Sequence, residues 1–370
     1  HEQVEFAIER LEATESEIET HIDSFVRSFD LRYAPLLRVR LVRTGADRHL
    51  LMYDMHHIIS DGASSNNIVQ ELVELYEGHE LPPLHIQYKD YAVWQQQQIQ
   101  EERYKRGEQF WLEHLTGSLP VLDLPIAYPR PATRSFEGAL YDFAVEPTVY
   151  SQLKQLAAQT GSTLYMVLLG AYTLLLSKYS GQNDLIIGTP VAGRPQPELE
   201  PLIGMFVNTL AIRHQLTDNH TFHSYLLEVR DRTLQAFEHQ DYPLEELVEK
   251  LDIPRDASRN PLFDTMFVLQ NTESQEASLE SLSFRPYEQE HRISKFDLTL
   301  SMSDEESVLR GSFEYCTKLF GAAVMERLSN DFIAILSQVV ANPDVPLSEI
   351  QVYMDEQPKG FAPDSIDFAF

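Results

Sequence analysis

The sequence has 370 residues, more than one hydrophobic core usually organises, so its length predicts two lobes or domains. Its apolar fraction of 43% and aromatic fraction of 10% are ordinary for a globular protein. Lysine and arginine total 29 against 57 aspartates and glutamates, which gives a formal charge of -28. Because nucleic acids and anionic membranes attract clustered positive charge, this balance argues against either as the main partner.

The cysteine content and the N-terminus indicate the compartment. The single cysteine, Cys316, excludes a disulfide framework and a cysteine-based zinc site within this sequence. This composition fits a reducing compartment, so we expect a cytoplasmic protein. The first residues, HEQVEFAIERLEA, lack the basic and then apolar pattern of a secretory signal. They also lack an initiator methionine, so we expect the chain to be cut from something longer.

Two adjacent histidines lie between a predicted strand and a predicted helix. HLLMYDMHH, residues 49–57, alternates and is rich in large apolar residues, which predicts a strand ending in His56 and His57. The following SDGASSNN contains loop and cap formers, among them Asp61. The next stretch, IVQELVELYEG, places four apolar side chains on one helical face: Ile68, Leu72, Leu75 and Tyr76. The predicted order is therefore strand, loop and helix.

A proline-rich stretch predicts the boundary between two lobes. YKDYAVWQQQQIQEERYKRGEQFWLEHL predicts one or two amphipathic helices, and the GSLPVLDLPIAYPRPATRS that follows has no periodicity, which is typical of a linker. We therefore predict an N-terminal lobe over residues 1–118, a linker at 119–135 and a C-terminal lobe over 136–355. Residues 356–370 are predicted to be a tail or inter-domain linker.

The second half predicts a mixed α/β lobe. Five apolar runs favour strands, the last two as a hairpin: DLIIGTPV, GMFVNTLAIR, DTMFVLQN, FDLTLSMSD and VLRGSFEYC. Three stretches favour helices: FHSYLLEVRDRTLQAFEH, PLEELVEKL with Pro243 in its first turn, and AAVMERLSNDFIAILSQVVAN. The acidic stretch Asn271–Ser283 is predicted to be a solvated loop.

The apolar stretch Leu164–Leu176 raises the question of a membrane span. It is shorter than the roughly 20 apolar residues that cross a bilayer. Ser162 or Thr163 can cap its start, and Gly181 can end it, as in a soluble helix. We therefore predict a core helix and no membrane partner.

Three interpretations of the histidine pair compete. His57 and Asp61 can ligate a metal, but a site needs further ligands and the sequence has no second compact cluster. Both histidines can instead be structural, with Asp61 capping the helix. Alternatively, one imidazole is a general base, because histidine titrates near neutral pH. Since no Gly-x-Ser-x-Gly elbow or activated cysteine is present, the nucleophile would then come from the substrate.

The stretch MHHIISDGAS resembles the His-His-x-x-x-Asp-Gly motif of condensation domains from nonribosomal peptide synthetases. Four further stretches resemble motifs of that family in the same order: YKDYAVW, IGMFVNTLAIR, HQDYPLE and RDASRNPLF. SFDLRYAPLLRVRL and GTPVAGRP are also similar. The family begins with a helix, a strand and an Arg-His-Glu-x-Leu-Arg-type motif that this sequence lacks. We therefore expect an incomplete N-terminal lobe, which puts independent activity in question.

The resemblance implies a fold, a reaction and partners. The fold is α/β: a two-lobed, V-shaped sandwich like that of chloramphenicol acetyltransferase, with an active-site tunnel between the lobes. The reaction is peptide-bond formation between a donor acyl or peptidyl thioester and an acceptor aminoacyl thioester, without a covalent enzyme intermediate. The implied partners are donor and acceptor carrier domains, which supply phosphopantetheine arms, and an adenylation domain of the same synthetase. No directly bound cofactor and no metal are implied.

The resemblance also assigns two catalytic positions. His57 corresponds to the second histidine of the motif, which either deprotonates or orients the attacking amine. An α-ammonium group with a pKa near 8 loses its proton easily, so positioning can outweigh base catalysis. The backbone amide of Gly62 is a candidate donor to the oxyanion of the tetrahedral intermediate.

Five other residues have implied supporting roles. His56 is expected to be structural. Asp61 is expected to form a salt bridge with Arg194, which would join the histidine loop to the second lobe and hold the shape of that loop. Asn208 and Asn260 are weaker candidates, because each can equally satisfy nearby backbone groups.

Two other functions share this scaffold. One is an epimerisation domain, which keeps the histidine motif but differs around it; the other is a non-catalytic domain that only recruits another protein. The intact His57, Asp61 and Gly62 argue against the second, and the histidines argue against heterocyclising relatives, which have aspartates there. The motifs resemble more closely the peptide-bond-forming members that join two L-residues. The identity of the donor and acceptor amino acids depends on the tunnel walls.

Overall fold

The computed structural model describes residues 4–99, 101–217, 219–270, 292–305 and 307–353, together with residues 283, 285 and 287. The predicted tail at 356–370 lies outside these described residues. The same holds for the acidic stretch Asn271–Ser283, apart from Ser283 itself.

The described residues form two compact units. The first contains those of His1–Gln98, Ala192–Val207 and Ala277–Ser283. The second contains those of three further ranges: Ile99–Val191, Asn208–Glu276 and Phe284–Phe370.

This division differs from the predicted lobe boundaries, most clearly at residues 99–118 and 192–207, and the predicted linker at 119–135 belongs to the second unit. Residues 99–118 belong with the second unit, because the Trp111 side chain is buried in one cluster with Tyr242 and its indole N–H donates to the His239 carbonyl at 3.0 Å. Residues 192–207 belong with the first unit, because Leu199 and Phe206 pack with Tyr91. Long-range packing, which local sequence patterns do not contain, decides both.

The first unit contains a three-stranded sheet. Its described strands and helices are Ile8–Glu12 (β1), Ile18–Phe25 (α1), Leu37–Arg43 (β2), His49–Met55 (β3), Gly62–Tyr76 (α2) and Tyr88–Gln98 (α3). Strand β2 is central, pairs parallel with β1 and antiparallel with β3. Val42 and Met52 lie on one face of this sheet and pack against Ile18, Ile22 and Phe25 of α1.

The second unit contains a six-stranded mixed sheet in the order β4-β9-β8-β7-β5-β6. Its described elements are Glu102–His114 (α4), Gly138–Val145 (β4), Pro147–Thr160 (α5), Leu164–Ser180 (α6), Asp184–Val191 (β5), Asn208–Gln215 (β6), Phe222–Glu238 (α7), Leu244–Lys250 (α8), Thr265–Gln270 (β7), Leu298–Glu305 (β8), Val308–Cys316 (β9) and Ala322–Ala341 (α9). Strand β7 pairs parallel with β5 and β8, and the other neighbours pair antiparallel. The predicted mixed α/β class is confirmed.

Helix α6 is the predicted core helix. The Thr163 hydroxyl accepts a hydrogen bond from the Met166 amide, and the helix ends at Gly181. Its side chains from Met166 to Ser177 are all buried. None of the described helices is long and apolar enough to cross a membrane alone; α5 and α6 reach that length and composition only together, across a bend of 106°.

Several predicted elements are confirmed, and others were not predicted. The stretch from Tyr88 to His114 forms two helices, and β8 and β9 form the predicted hairpin. In GMFVNTLAIR the strand begins only at Asn208. Five elements have no clear signal in the sequence: β1, α1, β2, β4 and α5. Strand β1, for example, has three charged residues among its five.

Candidate active site

The histidine pair lies in a tight turn. Strand β3 ends at Met55, and His57–Ile59 form one turn of 3-10 helix. The prediction that both histidines belong to the strand is therefore wrong by two residues. The His56 amide still bonds to the Leu36 carbonyl, at 3.0 Å, and the backbone turns away from the sheet after it.

His56 caps this turn. Its Nδ1 accepts a hydrogen bond from the Ile58 amide at 3.1 Å, so the ring proton is on Nε2 in the neutral imidazole. The ring is half-buried, and its edge faces Phe29 with the ring centroids 6.1 Å apart. These contacts fix the backbone next to His57.

His57 is exposed and has a defined tautomer. Its Nδ1 lies 2.6 Å from the Ser60 carbonyl oxygen. Because a carbonyl oxygen only accepts hydrogen bonds, Nδ1 carries the proton and donates it. The neutral ring therefore keeps its lone pair on Nε2, where it can accept a proton or a hydrogen bond from a bound molecule.

Asp61 is the N-cap of α2. Its Oδ1 accepts from the Ser64 amide at 2.8 Å, and its Oδ2 accepts from the Phe206 amide at 3.1 Å. The residue is only 3% exposed. The carboxylate therefore ties the first turn of α2 to the segment Ala192–Val207.

The predicted ion pair between Asp61 and Arg194 is present. The Arg194 Nη2 lies 2.9 Å from Asp61 Oδ1, and both side chains are buried, with 4% and 0% of their surface exposed. The Arg194 Nη1 donates to the carbonyls of Leu199, at 2.7 Å, and Leu202, at 2.6 Å. The pair lies within the first unit, because Ala192–Val207 belongs to it, and so does not have the predicted role of joining the two lobes.

The surroundings of Asp61 keep it ionised. Burial by itself would raise the pKa of this carboxyl group. The hydrogen bonds from Ser64 and from the Phe206 amide, together with the Arg194 charge, outweigh burial and lower the pKa below its ordinary value.

Gly62 begins α2 immediately after the cap. Its N–H belongs to the first turn of the helix, where amides have no intrahelical acceptor and the helix dipole favours negative charge. The residue is exposed, and a Cβ added to it would meet no atom within 4 Å. The side of Gly62 on which a Cβ would stand is therefore open.

A family model for the condensation domain matches residues 1–360. The chain belongs to the condensation-domain family. It is 48% identical over 358 residues to gramicidin S synthase 2 of Aneurinibacillus migulanus, an alignment that covers 96% of this chain but 8% of that protein. The chain thus spans less than a tenth of the length of such curated relatives.

Solved structures share the fold of this condensation domain. The X-domain from teicoplanin biosynthesis, in complex with OxyB, aligns with a TM-score of 0.87 at 24% identity and covers 96% of this chain and 81% of its own. The first condensation domain of the calcium-dependent antibiotic synthetase aligns with a TM-score of 0.72 at 19% identity, over 94% of this chain and 78% of its own. Each of these likenesses establishes the fold alone.

Asn208 and Asn260 lie in the second unit of the condensation domain, where their amides bond to protein groups. The Asn208 Nδ2 donates to the carbonyls of Gln240 and Tyr242, both at 2.8 Å, and its Oδ1 accepts from the Leu244 amide. Asn260 accepts from Arg134 and donates to the Lys295 carbonyl. Asn208 therefore fastens the turn before α8.

Apart from Nε2 of the two histidines, the potential metal-ligand atoms of the motif are engaged in hydrogen bonds with protein groups, and a metal site needs more ligands than His57 Nε2 alone can supply. Both carboxylate oxygens of Asp61, the Nδ1 of His56 and the Nδ1 of His57 have partners. Within the part of the chain that is described, one group brings three potential ligand atoms within 4.8 Å of one another: Glu74, Glu77 and His79, all exposed.

Sequence patterns missed Ser64. Its side chain is fully buried and lies among Asp61, Arg194 and Gly204. Ser64 lies in SDGASSNN, which the sequence predicts to be a loop, whereas in the structure it is the third residue of α2. A serine among loop and cap formers does not by itself indicate these contacts.

Proposed function

We propose that this condensation domain forms a peptide bond between two thioesters. The amine of an acceptor aminoacyl thioester attacks the carbonyl of a donor acyl or peptidyl thioester. The new C–N bond replaces the donor C–S bond, the donor thiol leaves with one proton, and the lengthened chain stays on the acceptor thioester. The nucleophile comes from the substrate, so no covalent enzyme intermediate forms.

The tautomer of His57 is the observation that carries this proposal. With Nδ1–H committed to the Ser60 carbonyl at 2.6 Å, Nε2 is the accepting atom of an exposed ring. It can accept a hydrogen bond from the attacking amine, which orients the nitrogen lone pair toward the thioester, and it can take the proton as the C–N bond forms.

The start of α2 supplies the second element of the reaction. Attack on the thioester carbonyl places negative charge on its oxygen. An N–H that already points at this oxygen stabilises the charge without any cost of reorganisation. The Gly62 amide lies five residues after His57 in the same turn-and-helix segment, at the positive end of the helix dipole. We propose this amide as the oxyanion donor.

Carrier domains are the proposed partners. Phosphopantetheine arms supply the thioesters, so the condensation domain itself binds no cofactor permanently. The name of the relative gramicidin S synthase 2 fits such a peptide assembly line, in which the carriers and a neighbouring adenylation domain belong to the rest of a longer polypeptide. We further propose a cytoplasmic location.

The test supplies the protein with two carrier domains, each loaded with a different aminoacyl-phosphopantetheine. Mass spectrometry of the acceptor arm should find the dipeptide, and chiral analysis should find both residues with unchanged configuration. Inversion of a loaded residue without transfer would favour epimerisation. No transfer from any loaded carrier, with carrier binding retained, would favour a recruitment domain and contradict the proposal.

A further inference from the structure

We infer that Ser64 is a positioning residue for the reaction, acting through the first turn of α2 on the Gly62 amide. The inference rests on the proposed function. It assigns no contact between Ser64 and the substrate.

Four polar atoms surround the Ser64 hydroxyl, which is fully buried. Asp61 Oδ1 lies at 2.8 Å, the Gly204 carbonyl at 2.9 Å, and the Gly204 amide and Arg194 Nη2 each at 3.0 Å. A hydroxyl has one proton and two lone pairs. It therefore accepts from the Gly204 N–H and from Arg194, and it donates to one of the two oxygens, so its capacity is filled.

Gly204 provides a rigid counterpart to this hydroxyl. Its N–H donates to the Ser64 hydroxyl, its carbonyl oxygen lies within hydrogen-bond distance of the same hydroxyl, and a Cβ added to it would lie 2.1 Å from Cδ2 of the Tyr88 ring. Tyr88 begins α3, and its hydroxyl donates to the Met205 carbonyl at 2.8 Å. The backbone at Gly204 is thus held between α2 and α3 and cannot easily follow a shift of either.

The contacts of Ser64 also hold the Gly62 amide, the proposed oxyanion donor, because both residues lie in the first turn of α2. Ser64 follows Gly62 by two residues, and its own amide is bound to the Asp61 cap. Without the hydroxyl, the first turn of α2 loses its bonds to Gly204 and to Arg194 and can move relative to His57. Misplacement of a catalytic group by about 1 Å can reduce a rate by about 100-fold.

The experiment compares Ser64→Ala with Ser65→Ala in the two-carrier assay. Ser65 lies in the same turn, but its hydroxyl makes one 3.3 Å contact with the Asp61 carbonyl, so it is the matched control. We expect Ser64→Ala to lower kcat by about 10- to 100-fold while KM for the loaded carriers stays the same. Amide hydrogen exchange should become faster at residues 62–65 in Ser64→Ala alone.

Ser64→Cys keeps a side chain of similar size and replaces the alanine variant if that variant does not fold. It should also lower kcat. A folded Ser64 variant with wild-type kcat, even with a lower Tm, would overturn the inference, because Ser64 would then stabilise the fold only. If the wild-type protein forms no dipeptide, the proposed function itself fails, which is a different result from a fully active Ser64 variant.

Discussion

At the scale of single residues, the site is defined by which atoms are already bonded. His57 keeps Nε2 available because Ser60 holds its Nδ1 proton, whereas Asp61 has both oxygens engaged. One residue of the motif is therefore arranged to act on another molecule and the other to hold the backbone. The sequence left the Asp61 cap as one of three interpretations, and only the family resemblance predicted its pairing with Arg194.

Asp61→Asn should destabilise the fold strongly. The change leaves the buried Arg194 guanidinium without its counter-charge, which costs about 3–5 kcal/mol for a well-buried pair. Chemical denaturation measures the free energy of unfolding. Glu15→Gln is the control, because its partner Arg48 and Glu15 itself are exposed, and such pairs contribute about 0–1 kcal/mol. Equal, small losses for both variants would contradict the role assigned to the buried pair.

Removal of divalent metal should leave the activity unchanged. Apart from Nε2 of the two histidines, the ligand atoms that the motif would offer are engaged in hydrogen bonds with protein groups, and the proposed chemistry requires no Lewis acid. The measurement is dipeptide formation before and after dialysis against a chelator, with elemental analysis of the purified protein. Stoichiometric zinc or iron, together with loss of activity on chelation, would support a metal site instead.

At the scale of elements, the segment Ala192–Val207 organises the first unit. The segment connects β5 to β6, and both strands belong to the second unit. Its own side chains nevertheless pack with Tyr91 of α3, and its Phe206 amide donates to Asp61. Local patterns predicted β5 and α3, but they predicted α2 only from Ile68 onward, because the residues from Gly62 to Asn67 are typical of a loop. They could not predict this packing, since the contacts join residues more than a hundred positions apart.

Gly193→Ala should disrupt that segment. Gly193 has a φ of 65°, and a Cβ added to it would lie 1.9 Å from the Phe206 carbonyl oxygen. We expect a loss of at least about 2 kcal/mol in the free energy of unfolding, from backbone strain and this clash. Gly62→Ala is the matched control for stability, because no atom lies within 4 Å of its added Cβ. A Gly193→Ala variant as stable as Gly62→Ala would mean that the segment is not held as described.

At the scale of the whole molecule, one buried and one half-buried histidine in the second unit lower the stability at acid pH. His214 in β6 is fully buried, and burial, with a smaller effect of Arg232, lowers its pKa to about 3. His114 in α4 accepts a hydrogen bond from the Arg213 amide at 3.0 Å, and burial lowers its pKa to about 4. Neither could be predicted from the sequence, because a histidine's place in a strand or helix does not show whether its side chain is buried.

The free energy of unfolding should therefore fall as the pH drops below 6.5. In the unfolded chain both histidines bind protons near pH 6.5, whereas in the folded protein they stay neutral down to about pH 4 and pH 3. Between its pKa in the folded protein and its pKa in the unfolded chain, each histidine makes the free energy of unfolding fall by up to about 1.4 kcal/mol per pH unit. Asp61, whose pKa is lowered, reduces the free energy of unfolding only at more acidic pH, where its carboxylate takes up a proton in the unfolded chain. Denaturation at pH 7 and pH 5 measures the slope, which His214→Leu should reduce; an identical slope would contradict this account.

The role of His57 in peptide-bond formation is tested by His57→Ala in the two-carrier assay. His57 is exposed, so its loss should leave the Tm close to that of the wild type while dipeptide formation is abolished. His79→Ala is the control, since His79 is also exposed and lies beyond the far end of α2. Undiminished dipeptide formation by a folded His57→Ala protein would contradict the account.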